Sequence, residues 1–316
     1  MGPSGEVRGV AWIVANPVAG RGWQEWSPER LAEELRRHGF DARIHRTRAP
    51  GDGALAARQA AKSGACVVAA AGGDGTVREV AEGLLGSDAP LAILPCGTAN
   101  VLAHDLGIPM DPVRACSIAA GGVVRAVDAA WCGESLWMLA CGAGLDAAIT
   151  LGVRREWKRR VGMAAYTPSI LRSVLSMRPF RAEVCVDGVA FPETLWLALA
   201  ANTRHYAGRF CLGADVRIDD GLLHLFLFTG GRMALVRALL ALAAGRLDRC
   251  ASVRVVRGAA IDVRAEPDQP VQIDGDTRLQ TPVSIRVAPG AVRVRVPSSW
   301  AQTGTDATKM RGTPSR

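Results

Sequence analysis

Asp74 is the residue that asks for an explanation. It stands inside the stretch "AAAGGDGTVREV" (69–80), where an apolar run meets Gly72, Gly73, Asp74, Gly75 and Thr76. Glycines let a backbone turn tightly and approach a ligand closely. The N–H groups of such a turn, and the start of a following helix, attract anions. Thr76 can cap that helix or bond a phosphate. A carboxylate would repel a bare phosphate, so Asp74 makes chemical sense with a cation, Mg²⁺, between it and the phosphate. The stretch is neither G-x-G-x-x-G nor G-x-x-x-x-G-K-[ST], and taken alone it reads sooner as a polar turn closing a strand. Two further turns weigh against that plain reading. "NPVAGRG" carries Asn16, Pro17, Gly20 and Gly22, and "PCGTAN" carries Gly97, Thr98 and Asn100.

The elements around these turns decide whether they can meet. "VAWIVAN", "ARIHRT", "CVVAAA" and "LAILP" read as strands. Between them lie helical patterns: "ERLAEELRRH" after an N-cap Ser27 and Pro28, "GDGALAARQAAKSG", and "TVREVAEGLL". A short helix follows over 100–106. This alternation predicts an α/β domain with a parallel sheet and helices on both faces. Ligands then sit beyond the carboxyl ends of the strands, where all three turns fall. From 124 the texture changes to short alternating strands such as "AEVCVD", "LLHLFLF", "IDVRA" and "VRVRV". These predict a mostly antiparallel β-sandwich domain. Helices are expected over 158–177 and 233–244. The expected layout is an α/β domain over 8–123, a β-sandwich domain over 124–297 with a cleft between the two, and a disordered tail over 298–316.

Bulk properties narrow the class. The chain has 316 residues, 49% of them hydrophobic, which suffices for two cored domains. A net charge of +8 suits anionic partners. The eight cysteines include no C-x-x-C pair, which excludes the common zinc spacings and fits a reducing cytoplasm. The N-terminus lacks an apolar signal core, and the most apolar helical run is too short to span a bilayer. The five histidines are scattered without metal spacing.

The set "NPVAGRG", "RTRAPGD", "GGDGTVREV" and "LPCGTANVLAHDLGIP" resembles the diacylglycerol kinase catalytic family, in its soluble bacterial lipid-kinase branch. Sphingosine and ceramide kinases belong to the same superfamily. "CGAGLDAAI", "REWKRRVGMAAY", "IDDGLLHLFLF" and "VQIDGD" follow in the family's order, so the likeness runs over roughly 10–296. The resemblance implies ATP-dependent phosphorylation of a lipid hydroxyl with Mg²⁺. By matching position it implies an ATP site lined by Asn16, Thr47, the segment Gly72, Gly73, Asp74, Gly75, Thr76, Val77 and Arg78, and by Gly97 and Thr98. The family carries an Asn-like polar residue where this chain has Arg78. Its general base, usually Glu after "DG", corresponds to Asp276, with Asp274 beside it and both carboxylates able to point into one site from a tight turn. "DGD" also reads as a plain hairpin turn with solvated acids. "IDDGLL" resembles a segment that holds a structural Mg²⁺, with Asp220 as the carboxylate and the carbonyls of Arg217 and Leu222 as further ligands; its other reading is a capped turn. The family often reads "GTxND", and this chain has Val101 in place of the acid.

Partners follow from that likeness. "RREWKRRVG" (154–162) carries five cations, one acid and Trp157. Near an anionic leaflet each cation contributes about 1 kcal/mol, and Trp suits the interface. The expected partners are ATP, a lipid and an anionic membrane surface met peripherally from the cytoplasm. No nucleic-acid signature is present. A homodimer is compatible with this reading. An NAD kinase, which shares "GGDGT", and a non-catalytic lipid- or nucleotide-binding member are the rival readings.

Overall fold

The computed structural model describes residues 8–19, 26–152, 166–208 and 210–300. Gly20, Gly22, the basic segment 154–162 and all but three residues of the expected tail lie outside the described residues. The chain divides into two compact units, 1–127 with 290–316, and 128–289.

In the first unit the chain runs β1 (Val10–Ala15), α1 (Pro28–Arg37), β2 (Asp41–Arg46), α2 (Asp52–Lys62), β3 (Val67–Gly72), α3 (Asp74–Leu84), β4 (Leu91–Pro95), α4 (Val101–Asp105) and α5 (Pro112–Gly121). The strands lie in the order β4-β3-β1-β2, all parallel. The helix signals behave as the sequence predicts. Ser27 accepts a hydrogen bond from Arg30 N, Pro28 opens α1, and Arg36 and Arg37 face the negative end of its dipole. Pro28, Leu31, Ala32 and Leu35 give α1 its buried stripe. Every residue of β3 is buried, as befits a central parallel strand. α2 packs on α3, while α1 packs on α5. With right-handed crossovers, the chain leaves β1 and β3 toward opposite faces of the sheet. The gap between the carboxyl ends of these neighbours is therefore the topological switch point, where open α/β sheets bind ligands.

β5 (Val123–Cys132) leads into the second unit, whose elements are β6 (Ser135–Trp137), β7 (Ala140–Gly144), α6 (Leu145–Leu151), α7 (Thr167–Ser176), β8 (Phe180–Val186), β9 (Val189–Ala201), β10 (His205–Tyr206), β11 (Phe210–Cys211), β12 (Leu223–Thr229), α8 (Arg232–Ala243), β13 (Val253–Gly258), β14 (Ala260–Glu266), β15 (Pro270–Ile273), β16 (Asp276–Gln280) and the start of β17 (Val283–Val296). The pairing is antiparallel, in the order β16-β15-β7-β9-β8-β14-β17, with β12 and then β13 added alongside β9. Leu223, Leu225 and Leu227 of β12 enter the sandwich core with Ala198 and Ala200 of β9. Phe226 and Phe228, on the opposite face, pack with Leu197 and Leu199 under Leu145, Val174, Leu235 and Ala238 of the helices. That double burial explains why "LHLFLF" is apolar nearly throughout instead of alternating.

The domain limits differ from those expected. The end of β17 belongs to the first unit, where Val294 pairs in parallel with Leu91 and extends the ladder beyond β4. The chain then turns at 297–300, and Trp300 Nε1 donates to Asp105 O at 2.9 Å. A parallel edge needs a ladder partner, and a late segment supplies it. Local patterning cannot reveal such a pairing.

Candidate functional site

The first unit brings its turns together at the switch point. Asn16 follows β1, and its N–H continues the ladder to Ala71 O at 3.0 Å. Its Nδ2 donates to Thr76 Oγ1 at 3.1 Å, while its Oδ1 accepts from Val18 N at 3.1 Å. Asn16 thus ties the turn after β1 to the first turn of α3. Thr47 N donates to Ala15 O at 2.9 Å, which sets Thr47 at the next carboxyl end. Gly72 ends β3 and Gly73 is the N-cap of α3. A Cβ on Gly72 would lie 2.4 Å from Thr76 Oγ1, and one on Gly97 only 2.3 Å from Gly73 Cα. The turns after β3 and β4 therefore touch backbone to backbone, an approach that only glycine permits. Asn100, at φ 46, holds Gly97 from both sides: its Oδ1 accepts from Gly97 N and its Nδ2 donates to Gly97 O, each at 3.0 Å. Gly75 is exposed, and a Cβ there would meet nothing within 4 Å. Val77 turns its side chain into the core, Arg78 is half-buried on α3 and Thr98 is exposed.

Asp74 opens α3, and one of its carboxylate oxygens accepts from Leu102 N at 3.2 Å. The carboxylate so fastens α4 to the glycine turn. One hard-oxygen carboxylate beside anion-attracting N–H groups suits Mg²⁺, which takes one or two protein carboxylates and completes its shell with phosphates and water. Among the described residues no group of three or more His, Cys, Asp or Glu could hold a metal on protein ligands alone. Glu79, a motif residue that sequence reasoning left without a role, is structural. It accepts from Gly51 N at 2.9 Å and Gly53 N at 3.1 Å, capping the start of α2.

In the second unit "VQIDGD" is the β15–β16 hairpin. Asp274 and Gly275 form the turn at φ 48 and 86, and Asp276 pairs with Ile273. The two carboxylates do not act as an equivalent pair. Asp274 accepts from the backbone N–H groups of Met138, Leu139 and Ala140 at 3.0, 2.9 and 3.1 Å. Its carboxylate is turned onto the β6–β7 connection, which corrects the expectation that both acids point into one site. Charge-assisted bonds to three backbone donors make it an anchor for the hairpin. Asp276 is half-buried at the start of β16.

Beneath the hairpin lies a buried polar group that the sequence did not disclose. Gln272 Nε2 donates to Asp146 Oδ2 at 2.6 Å, and Gln272 Oε1 accepts from Gly275 N at 2.7 Å. Tyr206 donates its hydroxyl to the other Asp146 oxygen. Burial pushes the Asp146 carboxyl above the usual carboxylate range, against the opposing pull of the Tyr206 and Gln272 bonds. The signal was "GAG" before Asp146: a Cβ at Gly142 would lie 2.5 Å from Asp146 Oδ2. Asp128 is a second missed acid. It is buried in β5 and accepts from Gly221 N at 2.7 Å. An isolated acid in an apolar strand was its trace.

The segment that carries Arg217, Asp220 and Leu222 precedes β12. Asp220 Oδ1 accepts from Leu222 N at 3.1 Å, and Arg217 forks onto Asp219 at 3.0 and 2.9 Å. Asp220 Oδ2 lies 3.6 Å from Nε2 of the buried His224, too far for a hydrogen bond. One carboxylate and backbone carbonyls are hard donors of the kind Mg²⁺ takes.

Two family models match the chain. The diacylglycerol kinase catalytic domain matches residues 10–132, and the YegS C-terminal NAD kinase beta sandwich-like domain matches residues 140–296. The diacylglycerol kinase of Bacillus subtilis (strain 168) is 30% identical over 227 residues, covering 71% of this chain and 75% of that protein. The lipid kinase YegS of Escherichia coli (strain K12) is 30% identical over 272 residues, covering 83% and 89%. A crystal structure of a diacylglycerol kinase from Bacillus anthracis str. Sterne superposes with a TM-score of 0.69 at 20% identity, over 92% of this chain and 97% of that one. Another structure from the same organism gives 0.78 at 23%, over 92% and 96%. At such identities the structural likeness speaks for the fold.

Proposed function

The chain belongs to the diacylglycerol kinase catalytic-domain family, and on that premise we propose that it is a lipid kinase, transferring the γ-phosphate of ATP to a lipid hydroxyl at a membrane surface. One observation carries the donor half of this reading. The turns after β1, β3 and β4 are locked together at the switch point, by Asn16 on Thr76 and by the contact of Gly73 with Gly97. Backbone donors and the start of α3 there suit a polyphosphate.

Each role follows from the residue's chemistry. The glycine turns hold the donor's phosphates, with Asn16, Thr47, Thr76, Arg78 and Thr98 around them; Gly75 keeps the backbone open to the ligand. Asp74 holds Mg²⁺, which supplies neutralisation of phosphate charge when bound. Asp276 is the general base: it takes the proton as the lipid oxygen attacks the γ-phosphorus, the bond to the bridging oxygen breaks, and ADP leaves. Asp274 does not touch the reaction and serves by holding the hairpin. Asp220, with the carbonyls of Arg217 and Leu222, is assigned a second, structural Mg²⁺.

The experiment is a transfer assay with γ-labelled ATP over a total lipid extract and, separately, over NAD. Label in a lipid product supports the reading. Label in the dinucleotide alone would make the chain an NAD kinase. Lipid binding without turnover would make it a non-catalytic member.

A further inference from the structure

We propose that the outward faces of α7 and α8 form a docking surface for an anionic phospholipid bilayer. α7 is inverted relative to a helix of a water-soluble protein. Its buried positions are Ser169, Ser173 and Val174, whereas Ile170, Leu171 and Leu175 are 38, 61 and 62% exposed. A helix at a water-facing surface turns its serines out and its leucines in. Ser169 is held inward by donating to Ile149 O at 2.7 Å, so the orientation is fixed by packing. α8 presents Met233, Arg237 and Leu240 at i, i+4 and i+7, with Met233 and Leu240 66 and 65% exposed. Arg232 fastens the two helices: it donates to the carbonyls of Val174 and Leu175 at the end of α7 from the first position of α8.

Charge on these helices selects the occupant. Neither helix contains an acidic residue, and both carry exposed arginines, Arg172 and Arg237, with Arg178 just beyond α7. Apolar side chains interspersed with cations on short surface helices are the pattern of an interfacial helix, whose leucines enter the acyl boundary while arginines meet lipid phosphates. None of these residues belongs to the basic segment 154–162 of the sequence.

The docking deepens the lipid-kinase reading, and its consequence for turnover rests on that reading; the docking itself is measured without turnover. The native chain is sedimented with phosphatidylcholine vesicles, with and without phosphatidylglycerol, in the absence of ATP. It binds the anionic vesicles, and less so as salt rises. The double variant Leu171→Ser with Leu175→Ser loses about tenfold or more in partitioning. Arg172→Gln with Arg237→Gln loses about tenfold on anionic vesicles and little on neutral ones. Both variants keep the native melting temperature and, on detergent-dispersed substrate, the native turnover. Equal vesicle binding by the native chain and the leucine variant would overturn the proposal. So would a native dimer, seen by light scattering without lipid, that the leucine variant converts to monomer. If vesicle binding follows the pattern but no lipid is ever phosphorylated, the kinase reading fails and the docking surface stands.

Discussion

Gln272 joins Asp146 to Gly275: its amide nitrogen donates to the buried carboxylate at 2.6 Å while its oxygen accepts from the turn N–H at 2.7 Å. The turn that presents Asp276 therefore rests on a buried acid 130 positions earlier, as well as on the Asp274 anchor. Gln272→Ala takes away both bonds. It is expected to lower kcat more than the affinity for ATP, because the residues proposed to bind the donor belong to the other unit. A combined kcat and nucleotide-binding measurement checks this; an equal loss in both would point to general unfolding.

The same acid predicts a pH effect on stability. Burial raises the Asp146 pKa above its unfolded value near 3.8. Between the unfolded and the raised folded value, the folded state holds more protons than the unfolded one. Its contribution to stability therefore falls as pH rises through that window. Asp146→Asn keeps a partner for both Tyr206 and Gln272 and removes the titration. Melting temperatures measured from about pH 4 to about pH 7 should show a flatter profile for the variant than for the native chain. Parallel profiles would refute the assignment.

Three glycines in the donor turns should respond differently to alanine. Gly97→Ala places a Cβ 2.3 Å from Gly73 Cα, against rigid backbone, and should cost roughly 2 kcal/mol or more with loss of ATP binding. Gly73→Ala, at 3.3 Å from Gly97 Cα, should cost less. Gly75→Ala meets no neighbour and sits inside α3, so stability should hold or rise by about 0.5–1 kcal/mol. A fall in ATP affinity at Gly75 without a fall in stability, read by calorimetry and thermal melts, would report the ligand itself.

Asp274→Ala leaves three backbone N–H groups of the β6–β7 connection without their acceptor. Each orphaned donor costs about 1–3 kcal/mol if it stays dry. Denaturant unfolding should show a loss of at least about 2 kcal/mol. A variant as stable as the native chain would mean that Asp274 is not an anchor.

The first unit was legible because its rules are local. Ser27, Pro28 and the alternation of apolar strands with helical stripes declare themselves within a few residues, and the three glycine turns fall at strand ends. What local reading missed depends on distance along the chain. β17 crosses into the first unit to pair Val294 with Leu91. Asp274 looked like a catalytic acid because its three donors lie about 135 residues away. Asp146 stood in the motif "CGAGLDAAI" without a buried role and Asp128 drew no notice, since only the fold reveals that they are buried. The exposed leucines of α7 were invisible for the opposite reason: its sequence is amphipathic, and which face turns inward is set by the packing of Ser169 and Ser173.

The most direct test follows labelled γ-phosphate from ATP into lipid by the native chain and by Asp276→Asn, with ATP affinity measured on both. A labelled lipid product that disappears in the variant while ATP still binds is the predicted result. Near-native transfer by Asp276→Asn would contradict the base assignment, and absence of any labelled lipid from the native chain would contradict the account as a whole.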